Sequence, residues 1–350
     1  MERCDNNMPF LLKYENVAWY EDGKVRILDR REYPTKVSFV ECTDYHEVIQ
    51  AIRDMVTQSA GPYTAVGMGM ALAAYQVKDK GETEQKAFLE KAAEELANSR
   101  PTAGHRYGKV TKLCLKEALK AMDEGRDPVQ ACFDRTVESL NRRYSTMQIV
   151  GDYLCDIIPN GATILTQCYA ETVIGTVIRA ARKSGKEFKV YCAETRPFFQ
   201  GARLTSSCFA SMGFDTTVVS DNMIAWTMQN RGIDLFTSAC DTMALDGYIA
   251  NKVGTFQIAI LAKYFGIPFY VTGLPDKDKE SKDDIVIEMR DPAQVLSARG
   301  IRNSLPEVKA VYPAFDIVPP HLITGLVTDK GVYVPELIRH YYDTEYQEYY

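Results

Sequence analysis

Ala162-Thr-Ile-Leu-Thr-Gln-Cys168 is a short apolar run that ends abruptly in a thiol. A helical stretch over 171–185 follows and stops at Ser184-Gly185, and Phe188-Lys-Val-Tyr-Cys-Ala193 then runs into Glu194. The pattern recurs at Thr216–Ser220 into Asp221 and at Leu235–Cys240 into Asp241. Reading outward from it, strands are expected at 162–168, 188–194, 215–221, 234–241, 268–273 and 310–313. Helices are expected at 171–185, 198–213 and 248–266, with Gly185, Gly213 and Gly266 as stops. Strands that alternate with helices imply a parallel, Rossmann-like sheet with helices on both faces. Ligands bind outside the carboxyl ends of such strands. One thiol and three carboxylates are therefore expected on a single rim.

Upstream the pattern differs. Lys13–Tyr20 and Lys24–Leu28 alternate as strands around Glu21-Asp22-Gly23, and Asp-Gly is a strong hairpin turn. Lys36–Val40 reads as a third strand. From Asp44 the period becomes helical, with helices expected at His46–Thr57, Ala65–Val77, Thr83–Asn98, Lys109–Glu124 and Pro128–Thr146. The fold class is thus α/β: a small antiparallel sheet plus helical bundle over 1–147, then a Rossmann-like catalytic domain over 148–350.

The composition narrows the function. A net charge of −6 over 350 residues argues against nucleic acid or an anionic membrane as partner. No apolar run of about 18 residues marks a spanning helix, and the first residues lack the apolar core of a signal peptide. Nine scattered cysteines without CxxC pairs, beside only four histidines, suit reduced thiols better than disulfides or a zinc site. A cytoplasmic protein with no metal is expected. No G-x-G-x-x-G or P-loop points to a dinucleotide or nucleoside triphosphate.

At the rim, Cys168 precedes a helix whose N-terminus lowers a thiol pKa, or it is simply a buried small hydrophobe. Asp241 reads as an acid or base whose pKa is raised by apolar walls, or as a turn aspartate. Glu194-Thr-Arg-Pro-Phe-Phe-Gln200-Gly-Ala-Arg203 offers either a phosphate or sugar cradle or a structural network of Glu194 with Arg196 or Arg203. Asp221 has N-capping as its simplest role. Asn251-Lys252 falls about one turn into the expected 248–266 helix, where the lysine is a solvated charge or a phosphate contact. In the N-terminal half, the Gly-rich stretch Gln58–Gly69 and Ser99-Arg100-Pro101-Thr102 matter only if they approach the crevice.

Together these runs resemble the family that contains the methylthioribose-1-phosphate isomerases and the alpha, beta and delta subunits of the eukaryotic initiation guanine-nucleotide exchange factor. The resemblance covers most of the chain and is clearest over 160–335. It rests on Ala162–Cys168, Glu194–Thr205, Asp221-Asn-Met, Asn251-Lys-Val-Gly-Thr255, Ile267-Pro-Phe-Tyr-Val271 and Pro313-Ala-Phe-Asp-Ile-Val-Pro-Pro320. It implies an aldose-1-phosphate to ketose-1-phosphate isomerase with Cys168 and Asp241 as the catalytic pair. It also implies Arg100, Gln200 and Lys252 at the substrate phosphate, Asn251 beside the sugar, and Gly61 and Tyr63 in the N-terminal phosphate loop. A homodimer is implied, with a sugar phosphate as ligand and no cofactor. The alternatives are a 5-deoxyribose 1-phosphate or ribose 1,5-bisphosphate substrate, or a non-catalytic subunit that senses a sugar phosphate or nucleotide.

The chain departs from the isomerase pattern in places. The loop usually reads Arg-Gly-Ala-Pro-Ala-Ile-Gly; here Ser59–Gly67 lacks the arginine and is one residue longer. Tyr169-Ala170-Glu171 replaces Asn-Thr-Gly, Gln167 replaces His, and Ala239-Cys240-Asp241 replaces Gly-Ala-Asp. His105 and Arg106 are candidates for the lost loop charge.

Overall fold

The computed structural model describes residues 3–100 and 104–344. They fall into two compact units, the first reaching Ser145 and the second beginning at Thr146.

In the first unit, β1 (Ala18–Glu21), β2 (Lys24–Leu28) and β3 (Phe39–Cys42) form an antiparallel sheet in that order. Asp22 and Gly23 both take positive φ, 47° and 78°, as a tight hairpin of this twist requires. Residues 14–16, expected at the start of the first strand, instead form a short 3₁₀ turn. Five helices follow: α1 (Tyr45–Arg53), α2 (Gly61–Gln76), α3 (Glu82–Ala97), α4 (Gly104–Asp123) and α5 (Pro128–Ile157). The last continues 11 residues past the expected Thr146, since nothing between 147 and 157 is a proline or a turn pair. The Gly-rich stretch is not a free loop. It becomes the opening turns of α2, a helix buried nearly all round, as its uniformly apolar sequence demands.

In the second unit a seven-stranded sheet has the order β15-β14-β10-β7-β4-β5-β6. Its strands are β4 (Thr163–Thr166), β5 (Lys189–Ala193), β6 (Thr216–Val219), β7 (Leu235–Ala239), β10 (Phe269–Thr272), β14 (Gly325–Thr328) and β15 (Gly331–Tyr333). All neighbours are parallel except the edge pair β14–β15. The inner parallel strands are short and mostly apolar because both of their faces are covered, whereas the edge strand β6 is partly exposed. Phe236 and Phe269, opposite one another on β7 and β10, stack with ring centroids 4.3 Å apart.

The helices between are α6 (Glu171–Ser184), α7 (Ser206–Ser211), α8 (Ile224–Asn230) and α9 (Thr255–Phe265). α6 and α9 end on Gly185 and Gly266, both left-handed at φ 69°. A π-helical segment, Gly201–Thr205, leads into α7, so the expected 198–213 helix starts late and irregularly.

Three expectations fail here. Residues 248–266 are not one helix: Ile249–Lys252 is a strand, β9, and only 255–265 is helical. All four β9 residues are buried, so no alternation betrays the strand. Asp241 is followed not by a helix but by a hairpin of β8 (Thr242–Met243) with β9. Residues 310–313 form no strand; only Pro313 bridges Met289, and β13 (Phe315–Val318) pairs antiparallel with β9 outside the main sheet. A short ribbon of β11 (Ser297–Ala298) and β12 (Ile301–Arg302) lies between. Among the described residues no helix is long and apolar enough to cross a membrane.

Candidate active site

The sheet order reverses direction between β4 and β7. β4 is followed outward by β5 and β6, while β7 is followed by β10 and β14. This reversal is the crevice where open α/β sheets bind ligands. Cys168 lies just past β4 and Asp241 just past β7, and the two strands are hydrogen-bonded neighbours.

The backbone at Cys168 is held on both sides. Its φ is 60°, in the left-handed region. Its N–H donates to Thr195 Oγ1 at 3.0 Å, and its carbonyl accepts from the Thr205 hydroxyl. Thr195 is itself left-handed at φ 66° and completely buried, as is unusual for a β-branched residue. The Asp221 carboxylate fixes it, accepting from Thr195 N at 2.9 Å and from Arg196 N at 2.7 Å. Asp221 thus does not cap its own helix; it ties down the turn after β5. That turn packs hard against the strand it leaves, since a Cβ at Gly201 would sit 1.8 Å from the Ala193 carbonyl oxygen. Phe199, at φ 57°, completes a set of three left-handed non-glycine residues around Cys168.

The arginines of the 194–205 run do not form the expected cradle. The Arg196 guanidinium donates to the carbonyls of Val295 at 3.0 Å and Ser297 at 2.9 Å, and Arg203 donates to Phe198 O at 2.6 Å. Neither is ion-paired with Glu194 in the described structure. Burial pushes the Glu194 carboxyl up, with nearby Asp221 adding to the rise. Gln200 is buried, and its Oε1 has no hydrogen-bond partner among the described residues.

Asn251 and Lys252 come from β9. Both are only 4 % exposed, which rules out the solvated reading of the lysine. Lys252 Nζ donates to Ala314 O at 3.0 Å and lies 4.8 Å from the centre of the Phe315 ring. Asn251 Nδ2 donates to Thr255 Oγ1 at 3.0 Å, and that hydroxyl donates on to Gln167 Oε1 at 2.5 Å. Gln167 also reaches Val253 O at 2.9 Å, so the residue beside Cys168 is wired to the β9–α9 turn. Gly254 makes that turn possible with φ 103°. Asp316 closes it from β13, accepting from Gly254 N at 2.6 Å and Phe256 N at 3.1 Å.

The electrostatics tie these groups together. Burial pushes the Cys168 thiol up to about 11; Lys252 opposes the rise, Asp241 adds to it, and Arg290 opposes it weakly. The helix N-terminus expected to lower this pKa is outweighed by desolvation. Burial likewise lowers the Lys252 pKa, helped by Arg290 and opposed by Cys168 and Asp241. Arg290 is mostly buried and forked onto Glu288 at 3.0 and 3.1 Å. Asp241 has no apolar walls around it: its side chain is exposed, and its N–H anchors the hairpin on Ala250 O at 2.8 Å. Cys168, Gln200, Asn251, Lys252 and Asp241 therefore belong to the second unit, while Gly61, Tyr63 and Arg100 belong to the first. Gly61 opens α2, Tyr63 packs edge-on against Tyr107, and the Arg100 guanidinium touches Met55 Sδ. The side chain of His105 lies outside the described residues.

Sequence reading missed Thr195, Thr205, Arg290, Phe315 and Asp316. The two threonines and the Phe315–Asp316 pair stand inside runs already singled out, whereas Arg290 comes from a segment without periodicity. Among the described residues no three His, Cys, Asp or Glu side chains group closely enough to hold a metal ion.

Fold and site define an α/β protein of Rossmann-like topology, with a thiol and a carboxylate flanking the switch point and a buried lysine electrostatically linked to both. Residues 59–335 match the Initiation factor 2 subunit family, and the chain belongs to that family. It is 34% identical over 338 residues to methylthioribose-1-phosphate isomerase of Thermosipho africanus, covering 93% of this chain and 96% of that one. The crystal structure of 5-methylthioribose 1-phosphate isomerase from Pyrococcus horikoshii matches with a TM-score of 0.82 at 30% identity, covering 98% of this chain and 99% of that one. Translation initiation factor eIF-2B subunit delta from A. fulgidus matches with a TM-score of 0.77 at 29% identity, covering 93% and 99%.

Proposed function

We propose that this protein is an aldose–ketose isomerase acting on a sugar 1-phosphate, 5-methylthioribose 1-phosphate or a close analogue, with the second unit as its catalytic domain. The observation that carries the reading is the placement of Cys168 and Asp241 just past the ends of the two strands that flank the switch point. An aldose 1-phosphate cannot open spontaneously, because its anomeric oxygen is esterified. Cys168, as thiolate, takes the C2 proton; the electron pair forms a C1–C2 double bond, and the bond from C1 to the ring oxygen breaks. Asp241, in its acid form, gives a proton to that departing oxygen. The Asp241 carboxylate then takes the enol hydroxyl proton as C2 becomes a carbonyl, and Cys168 delivers its proton to C1, so both groups return to their starting forms. Atoms and charge balance without an external reductant.

Lys252 and Arg290 supply positive charge for the phosphate and for charge developing near the thiol. Gln200, whose buried carbonyl lacks a partner among the described residues, and Asn251 orient sugar hydroxyls or phosphate. In the first unit, the family resemblance supports Gly61, Tyr63 and Arg100 as phosphate-contact candidates. The protein acts as a homodimer in the cytoplasm. Trp226, Ile260 and Tyr264 are exposed on α8 and α9, which supports a partner surface, and none of the nine cysteines forms a disulfide, which supports a reducing compartment.

The test is turnover of ribose 1-phosphates that differ only at C5, followed by NMR, with Cys168→Ser and Asp241→Asn alongside. The expected result is ketose product with the unmutated protein and loss of turnover with ligand binding retained in both variants. Ligand binding without product from the unmutated protein would sink the isomerase reading.

A further inference from the structure

Phe315 of β13 stands directly opposite Lys252 of β9 in the antiparallel register, so the two side chains share one face of the pair. A second chain runs beside them. Met289 bridges Pro313, Arg290 N donates to Tyr312 O at 2.9 Å, and Ala314 N donates to Glu288 O at 2.8 Å. Met289 is exposed while Tyr312 is buried and Arg290 mostly so, the alternation expected along an extended pair. Lys252 Nζ thereby lies 4.8 Å from the centre of the Phe315 ring and 6.0 Å from that of Tyr312. The Arg290 guanidinium carbon lies 5.7 Å from the centre of the same Phe315 ring.

Two buried cations thus share one aromatic ring. Among the described residues Lys252 Nζ has a single hydrogen bond, to Ala314 O at 3.0 Å, and no ion pair. Arg290 has one carboxylate, that of Glu288. The charged and titratable groups acting on Lys252 are Arg290, which disfavours its proton, and Cys168, Asp241 and Glu288, which favour it. Burial of an ammonium without a paired carboxylate drives off its proton. The negative face of an aromatic ring offsets part of that cost, and unlike a carboxylate it leaves the charge unneutralised. We infer that Phe315 is a positioning residue of the site: its ring, with Tyr312 beside it, stands in for a counter-ion to Lys252 and Arg290 and keeps both charges available to an anion entering the crevice. That the anion is a sugar phosphate rests on the isomerase reading, whereas the action of Phe315 on Lys252, and through it on Cys168, does not.

The test is the rate at which iodoacetamide alkylates Cys168 in the full-length protein between about pH 7 and 9, because Lys252 favours the thiolate that reacts. Phe315→Leu and Phe315→Met remove the ring but keep an apolar side chain, while Phe315→Tyr keeps the ring. Alkylation is expected to slow about threefold or more in the Leu and Met variants and to stay within about twofold of wild type in Phe315→Tyr. Combined with Lys252→Met, Phe315→Leu is expected to add no further slowing, because the ring acts through the ammonium; a loosened fold would slow or speed labelling in either background. Wild-type rates in both ring-less variants would overturn the inference, and so would the same slowing by Phe315→Leu with Lys252 absent. The readout needs no turnover, so a failure of the isomerase reading and a failure of this inference are told apart.

Discussion

Only a thiolate is alkylated at an appreciable rate, so the pH dependence of Cys168 modification reads its environment directly. With the thiol pushed up to about 11, mainly by burial, about one molecule in 10⁴ carries the thiolate at pH 7. An ordinary exposed thiol near 8.5 has roughly 300 times more. Iodoacetamide labelling followed by peptide mass spectrometry, with Cys168→Ala as control, separates this residue from the other partly exposed cysteines, Cys4 and Cys240. The rate at Cys168 is expected to rise tenfold per pH unit with no plateau before about pH 11. The neighbours set the direction of further shifts. Lys252 favours the thiolate, so Lys252→Met moves the curve to higher pH and slows labelling at every lower pH. Asp241 disfavours the thiolate, so Asp241→Asn moves the curve down and speeds labelling, by less at high salt because Asp241 is exposed. A plateau below pH 9, or faster labelling in Lys252→Met, would refute the account of the site electrostatics.

Further outcomes follow from the packing around the thiol. Asp221→Ala removes the acceptor of two backbone N–H groups and is expected to cost about 1–3 kcal/mol in urea unfolding. Because the Thr195 turn then loosens, kcat should fall more than KM changes. Asp316→Ala uncaps α9 and should cost about 1 kcal/mol by the same measurement, with Asp316→Asn losing less. Gly201→Ala forces a methyl against a backbone carbonyl and should lower stability by about 1–3 kcal/mol or more, read from the denaturation midpoint. Cys168→Gly should unfold at higher denaturant than Cys168→Ala, reversing the usual preference, because φ 60° favours glycine.

The strands of the main sheet were legible because they are short, largely apolar runs between helical stretches, and a thiol or carboxylate stands just past four of their ends. That is why the positions of Cys168, Glu194, Asp221 and Asp241 at strand ends are legible in the sequence alone. β9 was not legible. Ile249-Ala-Asn-Lys252 has no alternation, and its buried lysine and asparagine are explained only by Ala314, Phe315 and Thr255, which the fold delivers. The Gly-rich opening of α2 resembles a loop locally and becomes helix because the surrounding unit buries it on all sides. Arg290 escaped for the same reason: a guanidinium in a loop reads as a surface charge until its neighbours bury it.

Strain is concentrated where the chemistry is proposed. Of the non-glycine residues with positive φ, Cys168, Thr195 and Phe199 meet at one switch point, and each such conformation costs about 1–2 kcal/mol. The compensation is visible: Cys168 N on Thr195, Thr205 on the Cys168 carbonyl, and Asp221 on both N–H groups of the adjoining turn. These bonds fix the main chain of Cys168 from two neighbouring loops, so its thiol keeps little freedom beyond one torsion. Asp241 is anchored separately, through its own N–H on β9, and Lys252 sits on that same strand. Two independently locked elements thus converge on the β4–β7 crevice, one presenting the thiol and the other the carboxylate and ammonium. Relaxing the turn would recover a few kcal/mol for the fold, yet it would leave the proton-carrying atoms without a set position. A strained, fully hydrogen-bonded turn is what a proton transfer between adjacent carbons requires.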